Sequence, residues 1–118
     1  MVTASAATVL LLQGCYYDVA EELYPVTGSC DTANVTYTTH VKNVIENNCL
    51  VCHSQAANLG SINLEGHAQV KQYADNGRLL GAITHSPGYS PMPQNGNKLP
   101  PCTISQITAW VNKGAPND

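Results

Sequence analysis

Cys49-Leu50-Val51-Cys52-His53 is the stretch from which the rest of the chain takes its meaning. Two thiols separated by two residues, with an imidazole directly after the second, form the attachment pattern of a covalently bound haem. The thiols add to the two vinyl groups of the macrocycle and fix its orientation, and His53 is thereby delivered to one axial face of the iron. Without the histidine the same spacing would read as a redox dithiol or as half of a zinc site.

The other face of the iron decides the chemistry. A methionine gives a low-spin, relatively high-potential electron carrier, a second histidine lowers the potential, and an open position admits small ligands or catalysis. The chain contains two methionines, Met1 and Met92, and Met1 falls in the N-terminal signal described below. Met92 sits in Tyr89-Ser90-Pro91-Met92-Pro93, where a proline on either side restricts the backbone. Such stiffness suits a weak thioether ligand, which must be held over a metal at little entropic cost. Read alone, Met92 would be a gap-filling core side chain; beside the haem motif it is the expected second axial ligand. His40 reads as a surface or capping residue and His67 as an exposed residue of a first helical turn, so His85 is the one serious rival. The propionates need donors, and Arg78 fits best because a guanidinium grips a carboxylate with two parallel N–H groups. Lys71, Lys98, Tyr73, Tyr89 and Trp110 are weaker candidates, and each lysine reads first as a solvated surface charge.

A chain of 118 residues has room for one small domain. Its formal net charge of −3 provides no basic footprint for nucleic acid. From Cys30 onward five acidic and five basic side chains balance, so long-range steering by net charge is weak in the folded part. Phenylalanine is absent and Trp110 is the single tryptophan. So thin a core would be marginal alone, and a buried macrocycle would supply much of the missing apolar contact.

Thr8 to Cys15 is a short apolar run ending in a small residue and a cysteine, too short for a permanent membrane helix. Leu12-Gln13-Gly14-Cys15 resembles a bacterial lipobox, although no Lys or Arg precedes Lys42. Residues 1–14 are therefore expected to be a lipoprotein signal peptide, with Cys15 as the lipidated N-terminus. The competing reading is a buried N-terminal helix with a free thiol. With Cys15 on lipid and Cys49 and Cys52 on haem, two of the five cysteines remain. Cys30 and Cys102 could then form a disulfide, in keeping with an oxidising compartment, or stay as separate thiols. Residues 15–34, acidic and lacking sustained periodicity, read as a tether to the membrane, and residues 35–118 as the haem domain.

The domain reads as all-α, with three to five short helices around one haem. The first begins near a capping Thr38 or Thr39, turns Val41, Val44 and Ile45 to one side, and loosens at Asn47-Asn48. A second runs from Gly66 or His67 to Ala74, and a third from Arg78 to Thr84. Five prolines and two glycines between Ser86 and Pro101 impose an irregular, wrapping loop. Thr103 with Gln106 predicts a capping box for the last helix, whose apolar side is Ile104, Ile107, Trp110 and Val111, and Lys113-Gly114 with Pro116 ends it.

Together, Cys49-Leu50-Val51-Cys52-His53, Ser90-Pro91-Met92-Pro93 and the Trp110-bearing helix resemble a class I c-type cytochrome, over about residues 35–115. The closest likeness is to mono-haem lipoprotein cytochromes c of the Bacteroidota type, which pair a lipobox with an ending like Ala109-Trp110-Val111-Asn112-Lys113-Gly114-Ala115-Pro116. The resemblance implies iron ligation by His53 and Met92. It also implies a crossing of the first and last helices that packs Val41, Val44 and Ile45 against Ile104, Ile107 and Trp110. It further implies a periplasmic or cell-surface electron carrier, not an enzyme, whose partners are redox proteins or a membrane respiratory complex. A haem enzyme or gas sensor with an open or His-ligated distal site is the alternative.

Overall fold

The computed structural model describes residues 29–118, so the expected signal peptide, Cys15 and most of the 15–34 tether lie outside the described residues. A π-helical turn, Tyr37–Val41, runs on into α1 (Lys42–Asn48), followed by α2 (Leu50–His53), a 3-10 turn at Leu59–Ser61, α3 (His67–Asp75), α4 (Arg78–Ile83) and α5 (Pro101–Asn112). Among the described residues there are five α-helices and no strand, as the apolar periodicity predicts. No helix among them is long and apolar enough to cross a membrane.

Two helix starts differ from expectation, each for a local reason. The first helical segment is capped by Thr36 rather than Thr38 or Thr39: Thr36 is extended, and its hydroxyl accepts the Thr39 N–H at 3.3 Å. The last helix begins at Pro101, ahead of Thr103, because a proline at the first helical position has its φ already set and lacks an N–H that would go unused. The Thr103–Gln106 capping box is therefore not formed; Gln106 Nε2 donates instead to the Asp31 carbonyl at 3.1 Å. The other end follows the reading. Gly114 takes a left-handed φ of 95°, and the Gly114 and Ala115 N–H groups return to Val111 and Trp110 carbonyls at 2.9 and 3.0 Å.

Val41 and Ile45, Val70 and Ala74, Leu79 and Ile83, and Ile107 and Trp110 bring four helical segments into one core. Helix α5 packs on the π-helical turn and on α4, and α3 packs on α4. Trp110 is fully buried and its indole N–H donates to the Pro116 carbonyl at 2.9 Å, as a buried indole requires. His67 is half-buried, not exposed: its ring meets Tyr37 edge-on at 4.8 Å and Trp110 at 6.1 Å, and its Nε2 lies 2.9 Å from the Ala115 carbonyl. First-turn position alone hides this, because the covering residues arrive from the two ends of the domain.

The segment before Val35 is fastened to α5. Cys30 and Cys102 form a disulfide with Cα atoms 5.5 Å apart, and Lys113 Nζ donates to the Ala33 carbonyl at 2.7 Å. The attachment thus starts at Cys30, ahead of the domain boundary expected at Val35. Because the crosslink spans 72 residues, it removes much freedom from the unfolded chain, worth about 4 kcal/mol by loop entropy. Replacing both cysteines by serine is expected to lower the unfolding free energy by about 2–5 kcal/mol in a urea titration. A midpoint equal to that of the parent chain would sink the structural role given to the bridge.

Candidate functional site

Helical geometry explains why the opening motif can act as a unit. Residues at i, i+3 and i+4 share one side of a helix, so Cys49, Cys52 and His53 face together. The Cys52 and His53 N–H groups both donate to the Cys49 carbonyl, at 3.1 and 2.9 Å. Leu50 turns inward onto the core, whereas Val51 is 80% exposed. Cys49 itself breaks from helical geometry at φ −120°, separating α1 from α2, at the point where Asn47-Asn48 predicts a loosening.

The side chain of His53 is oriented by the turn that follows. Asn58, Gly60 and Ser61 all take left-handed φ, and this tight path aims the Leu59 carbonyl at His53 Nδ1, 3.2 Å away. A carbonyl accepts only, so Nδ1 carries the proton and Nε2 keeps its lone pair, the arrangement that makes an imidazole a ready metal ligand. No feature of the sequence singles out Leu59 for this task, since it acts through its backbone.

A cavity of about 530 Å³ opens beside the motif, within the range of sites that hold a cofactor-sized molecule. Cys49, Cys52, His53, Arg78 and Met92 all line it. Cys49 and Met92, 43 positions apart in sequence, thus meet at one hollow. Its remaining wall is largely apolar, including Ile62, Leu64, Leu79, Ile83 and Leu99. Trp110 is not brought to the cavity; its only polar atom is committed to Pro116. Arg78 stands at the rim with its guanidinium 5.2 Å from the centre of the Tyr73 ring and, among the described residues, it pairs with no carboxylate. Lys71 is turned away, to Asp75 at 3.0 Å and the Gly114 carbonyl at 2.8 Å. Among the described residues, no three His, Cys, Asp or Glu side chains converge as a metal cluster.

The loop carrying Met92 is tied to the end of α4. The Ser86 and Met92 N–H groups donate to the Gly81 and Ala82 carbonyls, each at 3.0 Å. His85 Nε2 lies 3.0 Å from the Met92 carbonyl, so the rival imidazole is bonded to the Met92 backbone. Tyr89, also in the cavity wall, lies flat on buried Gly81: a Cβ built there would meet three ring atoms at 2.6 Å. A glycine inside a helical pattern is a legible sign of such a close approach, although the partner is not.

Compared with known families, curated proteins and solved structures, the chain matches none.

Two outcomes are expected from this geometry. Ala is the better helix former by about 1 kcal/mol, yet Gly81→Ala should destabilise by about 1–3 kcal/mol because the Tyr89 ring must move off α4; a raised denaturation midpoint would contradict that packing. Burial pushes the Cys49 thiol up to about 11 from its ordinary 9.0. The thiolate is the reactive form, so in the haem-free protein alkylation of Cys49 near pH 8 should be on the order of a hundredfold slower than in the unfolded chain. The fold binds this proton more tightly than the unfolded chain does. Its contribution to haem-free stability is thus intact below about pH 9 and lost as pH rises through about 11. Equal alkylation rates in folded and urea-unfolded protein would contradict the burial.

Proposed function

We propose that the chain is a mono-haem c-type cytochrome that passes single electrons, with His53 and Met92 as the axial pair. The observation that carries this reading is one cavity lined by both thiols of the attachment motif, His53 and Met92. The donor set fits the group. Cys49 and Cys52 would hold the macrocycle through thioether bonds. His53 offers Nε2 because Nδ1 is occupied by Leu59, and Met92 offers a thioether from a loop bonded at both its N–H and its carbonyl. Arg78 at the rim would receive a propionate. The apolar wall is of the kind that excludes water and supports a flat hydrophobic ring.

Bound haem would supply a one-electron iron couple. The chain's own task is to keep the two ligands in place through both oxidation states, because an electron moves fastest when little has to rearrange. The exposed rim, with Val51 80% and Leu59 57% accessible, suits brief docking of a redox partner protein, and such contacts are small and weak. On the same reading Cys15 bears lipid and the carrier works at a periplasmic or cell-surface membrane, handing electrons to or from a respiratory complex.

A redox-titrated optical spectrum of purified protein tests the assignment directly. Haem should stay with the chain through denaturation, and its pyridine haemochrome should carry the shift of saturated vinyl groups. The ferric protein should show the far-red sulfur-to-iron band. Met92→Ala should abolish that band, lower the reduction potential and open the ferrous iron to carbon monoxide. A parent protein that lacks the band and binds carbon monoxide readily would instead be a haem enzyme or gas-binding protein.

A further inference from the structure

Beside the cavity, His85 is the residue that turns the chain out of α4. Its φ is 57°, in the left-handed region that a residue with a Cβ enters at a cost. The side chain is exposed. The left-handed turn returns the His85 and Ser86 N–H groups to the Ala82 and Gly81 carbonyls at 3.2 and 3.0 Å, closing α4, and from that position Nε2 comes to 3.0 Å from the Met92 carbonyl. Since a carbonyl only accepts, Nε2 is the protonated nitrogen and donates. Nε2 is thus engaged with the Met92 backbone.

The backbone of Met92 is thereby gripped from two sides. Its N–H donates to the Ala82 carbonyl at 3.0 Å, and the same carbonyl receives the His85 N–H at 3.2 Å. Ala82 is thus a shared point from which both residues hang. Of these contacts, the bond from the imidazole is the one made by a side chain, and it acts on the carbonyl next to the Met92 side chain. We infer that His85 is a positioning residue that holds the Met92 thioether at the cavity by clamping the Met92 carbonyl to the end of α4. The inference rests on the proposed His53 and Met92 ligation and goes beyond it, since that ligation does not require any particular support.

Free imidazole competes with Met92 for ferric iron, and loss of the far-red band reports its binding. Two substitutions in the holoprotein separate the clamp from the backbone conformation. His85→Asn keeps a residue that tolerates left-handed φ, but its amide ends too short to replace Nε2. His85→Gln places an amide N–H near the position of Nε2. His85→Asn is expected to bind imidazole about two- to tenfold more tightly than the parent, the range set by one hydrogen bond, while His85→Gln stays within about twofold of the parent. The clamp is overturned if His85→Asn binds imidazole like the parent, or if His85→Gln is weakened as much as His85→Asn. A parent protein with no far-red band overturns the ligation itself and the clamp with it; a parent band with unchanged imidazole affinity in His85→Asn overturns the clamp alone.

Discussion

The carbonyls at the end of α4 are the constraint on which the far wall of the cavity depends. A helix leaves its last carbonyls without partners inside the helix, and α4 is only six residues long. Here three of them are taken up by the following chain. Leu80 receives the Thr84 N–H and hydroxyl, Gly81 receives Ser86, and Ala82 receives His85 and Met92. Satisfying these groups and shaping the wall are therefore one event. The same short helix turns Leu79 and Ile83 into the core, so the loop is referred to the centre of the fold through a single element. A proline-rich loop is suited to this arrangement, because its N–H groups are few and its backbone has little freedom to lose.

The opposite wall follows a different logic. Cys49, Cys52 and His53 are neighbours in sequence, and one helical turn aligns them without help from the rest of the chain. The long-range contribution is smaller: the Leu64 N–H donates to the His53 carbonyl at 2.7 Å, and the Leu59 carbonyl fixes the imidazole. One side of the hollow is thus local and the other is tertiary. The hollow itself occupies space that a domain without phenylalanine and with one tryptophan would need in order to fill its own centre.

What could be read from sequence divides along the same line. The helices were legible wherever an apolar period was long enough, as with Val70 and Ala74 or Ile107 and Trp110. The disulfide was legible by accounting for five cysteines. The motif and Met92, which line one cavity, could be named as candidates because their side chains carry distinctive chemistry. Helix starts were less legible. Thr36, Thr38 and Thr39 are chemically alike, and only the extended backbone at Thr36 separates them; Thr103 was a plausible cap until the earlier proline displaced it. Trp110, read also as a weak propionate candidate, and His67, read as exposed, share a feature that the sequence hides. Their polar atoms are taken by backbone carbonyls of Pro116 and Ala115, partners that carry no mark in a sequence. The roles of Leu59, Ala82 and His85 were hidden likewise, because each depends on where a carbonyl lies.

The division between a local and a tertiary wall bears on how the proposed axial pair would respond to stress. On that reading, two covalent links only one and four residues from His53 keep its imidazole at a high effective concentration near the iron, whatever the rest of the chain does. Met92 has no such tether. Its position depends on α4, on the bonds from Ala82 and His85, and on Tyr89 lying against Gly81. A thioether is also the weaker donor. Partial loosening of the domain would thus release the methionine side first, while the histidine side stayed ligated. Much of the structure outside the motif, including the disulfide that draws Cys30 onto α5 and the core that seats α4, can then be understood as support for the one ligand that local geometry cannot hold.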